Sequence, residues 1–247
     1  MHAPSQLDAV NATIQPCFLD PSRKSVLWPQ CENVLSHEHF QNLPQRSLIC
    51  IFDNEERQAF VNEPSLGENF CGFTKPGLRG VASWPPDILR CVWDDKKALC
   101  DDAIYLRSRT CKSQIGTVIT FAHEMQHFMQ YGNHRKVWQA NHDLRACVKG
   151  RFPQWHFPHE REALLVSRQV AEAVLCPLEV QRYAEQERER EQVERPGDLR
   201  KWEFLLSLNV REKFDFLEET KTLVNEHREC LKQHFPYRDY SKEKWWE

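Results

Sequence analysis

The sequence predicts an α+β chain: a small, mostly antiparallel sheet packed on one long helix, followed by further helices. Three observations predict it. Short apolar runs bounded by Gly, Pro, Asp and Asn fill residues 47–108, which is strand-and-turn patterning. Directly after them, residues 114–131 place apolar side chains at helical spacing. From residue 158 onward the strand signals give way to two further helical patterns and a run rich in Glu, Gln and Arg. The organisation that follows is an irregular leader over 1–46, a domain over 47–177 and a helical extension over 178–247 that packs on the domain.

Composition narrows the function classes. A net charge of -3 and a pI near 6.4 provide no global basic field, so no nucleic acid partner is expected. No stretch approaches the ~20 apolar residues of a membrane span, and the first residues lack the basic and apolar regions of an export signal. The expectation is a soluble, cytoplasmic protein, with secretion by a signal-less route left open. The 10 cysteines form no C-x-x-C pair, which argues against a zinc ribbon or a thioredoxin-like site. Cys50, Cys91 and Cys176 lie in apolar runs and read as small buried thiols rather than disulfide partners.

Taken in order, the leader holds one short helix around Cys31–Phe40. Its His37 and His39 diverge at i,i+2 and read as surface histidines. Leu48–Phe52 is an unbroken apolar run, hence a buried strand, and Gly80–Trp84, Ile88–Trp93 and Ala103–Ser108 are further strands. Ser113 caps the helix of 114–131, and Gly132 stands where a left-handed C-cap is expected. Ile115, Val118, Ile119, Ala122, Met125 and Met129 share one face of that helix. His123 and His127 point roughly 140° away from it, beside Gly116 and Gln130.

Residues 133–157 read as a long polar connection. Pro158 then opens a helix that ends at Cys176. Glu160 falls near the centre of its apolar face, and Glu162 about 200° round, on the solvent side. A charged, solvated helix over 178–195 and a last helix over 210–234 complete the chain, which ends in an aromatic segment.

The chemistry lies in His123-Glu124-Met125-Gln126-His127. Two histidines four apart on a helix are separated by roughly 6 Å along the axis, so both imidazoles can reach one metal ion. The glutamate between them is placed to take a proton from a metal-activated water. An amphipathic helix with two surface histidines is the plain alternative. Glu160 supplies context: a carboxylate heading a buried stripe is costly without a partner, although a helix N-terminus also favours an anion. His134, His142, His156, His159 and Glu162 remain competing third ligands.

These residues resemble the gluzincin type of the zincin metallopeptidases, in which H-E-x-x-H on one helix is completed by a glutamate on a later helix, often within E-x-x-A. His123 to His127 matches the first motif and Glu160-Arg161-Glu162-Ala163 the second, so the resemblance covers about 100–176. It implies a zincin-like domain in which His123, His127 and Glu160 hold Zn²⁺ and Glu124 is the general base of peptide-bond hydrolysis. The peptide or protein substrate would lie antiparallel to an edge strand near Ala103–Ser108. The related metzincin pattern requires glycine at position 130 and histidine at 133, where this chain has Gln130 and Asn133. Tyr131, His156 and Tyr183 are candidate transition-state stabilisers. The competing expectation is a catalytically silent zincin-like or helical interaction module that uses the charged helix and the aromatic end.

Overall fold

The computed structural model describes residues 14–53, 72–76, 93–94, 97–98, 100–107, 113–148, 153–194, 201–238, 240 and 245–246. In chain order its elements begin with strand β1 (Ile14–Phe18), helix α1 (Lys24–Leu35) and strands β2 (Leu48–Phe52), β3 (Gly72–Pro76), β4 (Trp93–Asp94), β5 (Lys97–Ala98) and β6 (Asp102–Leu106). Helices α2 (Gln114–Asn133), α3 (Arg135–Cys147), α4 (Pro158–Val174), α5 (Pro177–Glu194), α6 (Lys201–Ser207), α7 (Phe216–Glu226) and α8 (Arg228–His234) follow. Short 3-10 turns stand at Pro21–Arg23, Glu38–Phe40 and Gln154–His156.

The expected antiparallel sheet is overturned. The main sheet has the order β1-β2-β6-β3, with β1–β2 and β2–β6 parallel and only the edge strand β3 antiparallel to β6. Helices, not strands, make up most of the described chain. The physical reason is visible in β2 and β6, which are buried along their whole length. Strands covered on both faces carry continuous apolar runs, the signature of parallel pairing. The crossover that parallel neighbours require is supplied between β1 and β2 by α1. Since β6 lies between β2 and β3, it is not an edge, and the expected docking of a substrate along it is excluded. Within the expected strands, Gly80–Trp84 and all of Ile88–Trp93 except Trp93 lie outside the described residues.

Two buried polar anchors fix the sheet. Arg46 grips Asp102 through Nε at 2.6 Å and Nη2 at 2.9 Å. The Tyr105 hydroxyl donates to Asp53 at 2.5 Å.

Three further differences concern the helices. The leader is not irregular from residue 14 onward: β1 joins the sheet, and α1 buries Leu27, Trp28, Cys31, Val34 and Leu35. The polar connection after residue 133 contains α3, whose Val137, Ala140 and Leu144 form a buried stripe at helical spacing. The last helix is two, α7 and α8, interrupted at His227, and it begins at Phe216 because Asp215 caps the backbone N–H groups of Leu217 and Glu218.

Strands β1, β2 and β6 pack with α1, α2, α4, α5 and α6 around one apolar core, while α3, α7, α8, Tyr240 and Trp245 form a second. Cys31, Cys50 and Cys100 are buried cysteines, while Cys17 is disulfide-bonded. No helix among the described residues is long and apolar enough to cross a membrane.

Candidate metal centre

The α2 helix starts as its sequence requires, with the Ser113 hydroxyl accepting from the Gly116 N–H at 3.2 Å. It ends differently. Gly132 stays helical and His134 is the C-cap; a Cβ at 132 would collide with the Pro44 ring, so the glycine serves close approach rather than a left-handed turn. Every residue of 116–128 is buried, because α4 covers the face that carries the histidines.

That packing brings His123, His127 and Glu160 together. They form a buried group that can hold a metal ion. His123 Nε2 and His127 Nε2 are 3.1 Å apart, and Glu160 Oε2 lies 3.4 Å from the first and 3.6 Å from the second. A tetrahedral ion with ligand bonds of about 2.0–2.1 Å separates its ligand atoms by about 3.3–3.4 Å. The three atoms already stand at that spacing. Glu160 Oε2 and His123 Nδ1 are buried without a hydrogen-bond partner, a costly arrangement unless something else satisfies the carboxylate.

The ligand atoms are aimed by their neighbours. Gln154, in the 3-10 turn ahead of α4, donates to Glu160 Oε1 at 2.7 Å and is itself held by Arg145 of α3 at 2.8 Å. Oε1 is therefore engaged and Oε2 faces the histidines. The Gln130 amide donates to the His159 carbonyl at 2.9 Å and to Glu162 Oε2 at 2.8 Å, which leaves its Oε1 to accept from His127 Nδ1 at 2.9 Å. This fixes the tautomer with Nε2 turned towards the site. Gln126 repeats the motif, donating to Glu162 at 2.7 Å and meeting His39 Nε2 at 2.8 Å.

Electrostatics follow from the same contacts. Burial pushes His123 down to about 3, so it is neutral. Burial opposes charge on His127 too, but the Glu160 and Glu124 carboxylates and the Gln130 acceptor outweigh it and raise His127 to about 9. Glu160 lies slightly nearer His123, but only His127 has an acceptor on its Nδ1, in Gln130, whereas His123 Nδ1 has no hydrogen-bond partner, so the proton sits on His127. Burial alone would raise Glu160, yet its two histidine partners hold it well below the usual carboxylate range.

The remaining predicted residues divide. Glu124 is buried on α2 between the histidines. Glu162 is not on the solvent side: it anchors both glutamines, and burial raises its pKa. His159 is buried with Nε2 3.8 Å from Glu160 Oε1, flanking the group. His142 packs at a tilt against His159 and Trp138, His156 lies against Phe204, and His134 against Phe216. None of these three belongs to the metal group. Tyr131 packs between Arg46, Arg135 and Trp138. Tyr183 sets its hydroxyl against Gly116, seven residues before His123, where a Cβ would meet it.

Sequence reasoning missed Gln130, Gln154 and Arg145 as supports. Only Gln130 carried a local signal, since its i+3 spacing from His127 places it on the same face.

No protein-family model matches the chain, and no curated protein or solved structure matches it. Fold likeness therefore contributes nothing to the functional reading, which rests on the site.

Proposed function

We propose that the chain is a zinc-dependent peptidase acting on a peptide or protein substrate, with His123, His127 and Glu160 as the metal ligands and Glu124 as general base. The observation that carries this reading is the convergence of two Nε2 atoms and one carboxylate oxygen at tetrahedral spacing, with Glu124 lying between the two histidines on the same helix. Two imidazoles and one carboxylate suit zinc and leave a fourth position open. When bound, the ion supplies Lewis acidity to a water molecule and to the scissile carbonyl.

The chain's own residues do the rest. Glu124 accepts the proton of the attacking water and hands it to the leaving amine, a role that contributes about 10²–10⁴-fold. Gln130 keeps His127 in the coordinating tautomer, and Gln154 with Arg145 keeps Glu160 Oε2 free for the ion.

One observation favours a second reading, a catalytically silent metal centre that clamps α2 to α4. His123, His127 and Glu160 are all buried, and two cavities among the described residues are lined by other side chains. The larger, about 440 Å³, opens beside Gln126, Gln130 and Glu162 instead.

Glu124→Gln separates the two readings. Zinc-loaded wild type should hydrolyse an unfolded protein substrate, and the variant should keep its zinc while losing at least about 100-fold in rate. Zinc-loaded wild type that cleaves no unfolded substrate leaves the silent centre as the account.

A further inference from the structure

A second group of metal-ligating side chains stands apart from the buried one. Cys147 is the last residue of α3, and Cys230 and His234 lie one turn apart on α8. One ligand atom from each lies within 4.8 Å of the other two. Cys230 Sγ is 3.7 Å from His234 Nδ1 and 3.7 Å from the Cys147 carbonyl oxygen. In a tetrahedral site with metal–sulfur bonds of about 2.3 Å and metal–nitrogen bonds of about 2.0–2.1 Å, sulfur and nitrogen are about 3.6 Å apart. The pair on α8 is therefore already at working distance, and Cys147 needs only a small approach.

The scaffold holds these residues in place. The α3 and α8 helices share the second core through Val137, Ala140, Leu144 and Leu231. Beyond α8, Asp143 of α3 accepts from the Tyr240 hydroxyl at 2.5 Å and pairs with Arg238 at 3.0 Å. Two residues before Cys147, Arg145 reaches Gln154 at the buried centre.

We propose that Cys147, Cys230 and His234 form a second site for a thiophilic divalent cation such as Zn²⁺, which clips α8 to the end of α3. Two thiolates and an imidazole select zinc-like ions over Mg²⁺ or Ca²⁺, which require oxygen ligands. Binding releases the two thiol protons to solvent and changes no oxidation state. His234 Nδ1 gives up its 2.9 Å hydrogen bond to the Cys230 carbonyl, and the imidazole proton moves to Nε2, which frees the Nδ1 lone pair for the ion; the exposed position of His234 allows this.

Co²⁺ added without oxygen to the full-length protein, with the Cys17 disulfide intact and Cys147 and Cys230 as thiols, tests this, because only thiolate ligation produces a sulfur-to-cobalt charge-transfer band. Wild type should show the band, and His123→Ala should retain it, so the outcome is independent of the peptidase reading. Cys230→Ser should abolish it, whereas Cys176→Ser, an exposed cysteine outside the group, should not. His234→Ala changes an exposed side chain and should weaken Co²⁺ binding read by the band at least about tenfold. A wild-type spectrum without the band overturns the proposal. So does a band that Cys230→Ser or His234→Ala leaves unchanged.

Discussion

The buried His123/His127/Glu160 group and the Cys147/Cys230/His234 group differ in what they cost when no ion is bound. In the first, a carboxylate oxygen and an imidazole nitrogen are buried without a hydrogen-bond partner, and the carboxylate oxygen has only the two histidines at 3.4 and 3.6 Å beside it. In the second, the thiols are half-buried and His234 is exposed, so water and the backbone satisfy the ligands. The buried group is aimed by Gln130, Gln154 and Arg145 and is poised at the geometry of one ion. The surface group relies on helix packing and must close slightly. Pre-organisation in the interior is purchased with instability of the empty state; at the surface it is not needed and not provided.

The largest effect that sharpens this contrast is Glu160→Ala. Removing the carboxylate takes the counter-ion from the buried His127 imidazolium, and metal-free stability in urea should fall by about 3–5 kcal/mol. A change below about 1 kcal/mol would show that the ion pair does not organise the empty site.

Next comes Gln130→Ala, which releases the His127 tautomer without touching a ligand. Zinc affinity measured against a competing chelator should fall about 10–100-fold, with the thiolate site unaffected. An unchanged affinity would remove Gln130 from the account.

Titration gives a third, smaller handle. His123 and His142 are lowered to about 3 and about 4, chiefly by burial, so the unfolded chain binds their protons first. Stability therefore falls as pH drops below about 6.5. His127 is raised to about 9, so its contribution is complete below about 6.5 and is lost as pH rises towards 9. Metal-free protein should be most stable near pH 6.5, with slopes on the order of 1 kcal/mol per pH unit. Under the proposed function, added zinc should replace the His127 proton and erase the alkaline limb in thermal melts. A melting temperature that stays flat from pH 6 to about 9 in metal-free protein contradicts the proton assignment.

The smallest effect is His234→Ala in metal-free protein, expected within about 0.5 kcal/mol of wild type by denaturant unfolding. A large loss would mean that the surface group is structural without an ion.

Local signals carried the parts of the molecule that local physics determines. Ser113 and the apolar spacing from Ile115 define α2, and the wheel position of Glu160 picks out the carboxylate that meets the histidines. Strand direction was not readable in this way, because it depends on which distant run pairs with which. The unbroken burial of Leu48–Phe52 was nonetheless a hint of parallel pairing. The β1 strand was hidden by Pro16, and α3 by its polar composition, although Val137, Ala140 and Leu144 recur at helical spacing. Glu162 was misplaced because a single-helix wheel shows only its own apolar stripe. The polar cover over Glu162 comes from Gln126 and Gln130 on another helix.

The central claim is that the buried group holds a metal ion, and anomalous diffraction at the zinc absorption edge tests it most directly. Crystals of the full-length protein grown with zinc should show a peak about 2 Å from His123 Nε2, His127 Nε2 and Glu160 Oε2. A well-ordered structure from the same crystals with these three side chains in contact and no anomalous peak between them would contradict it.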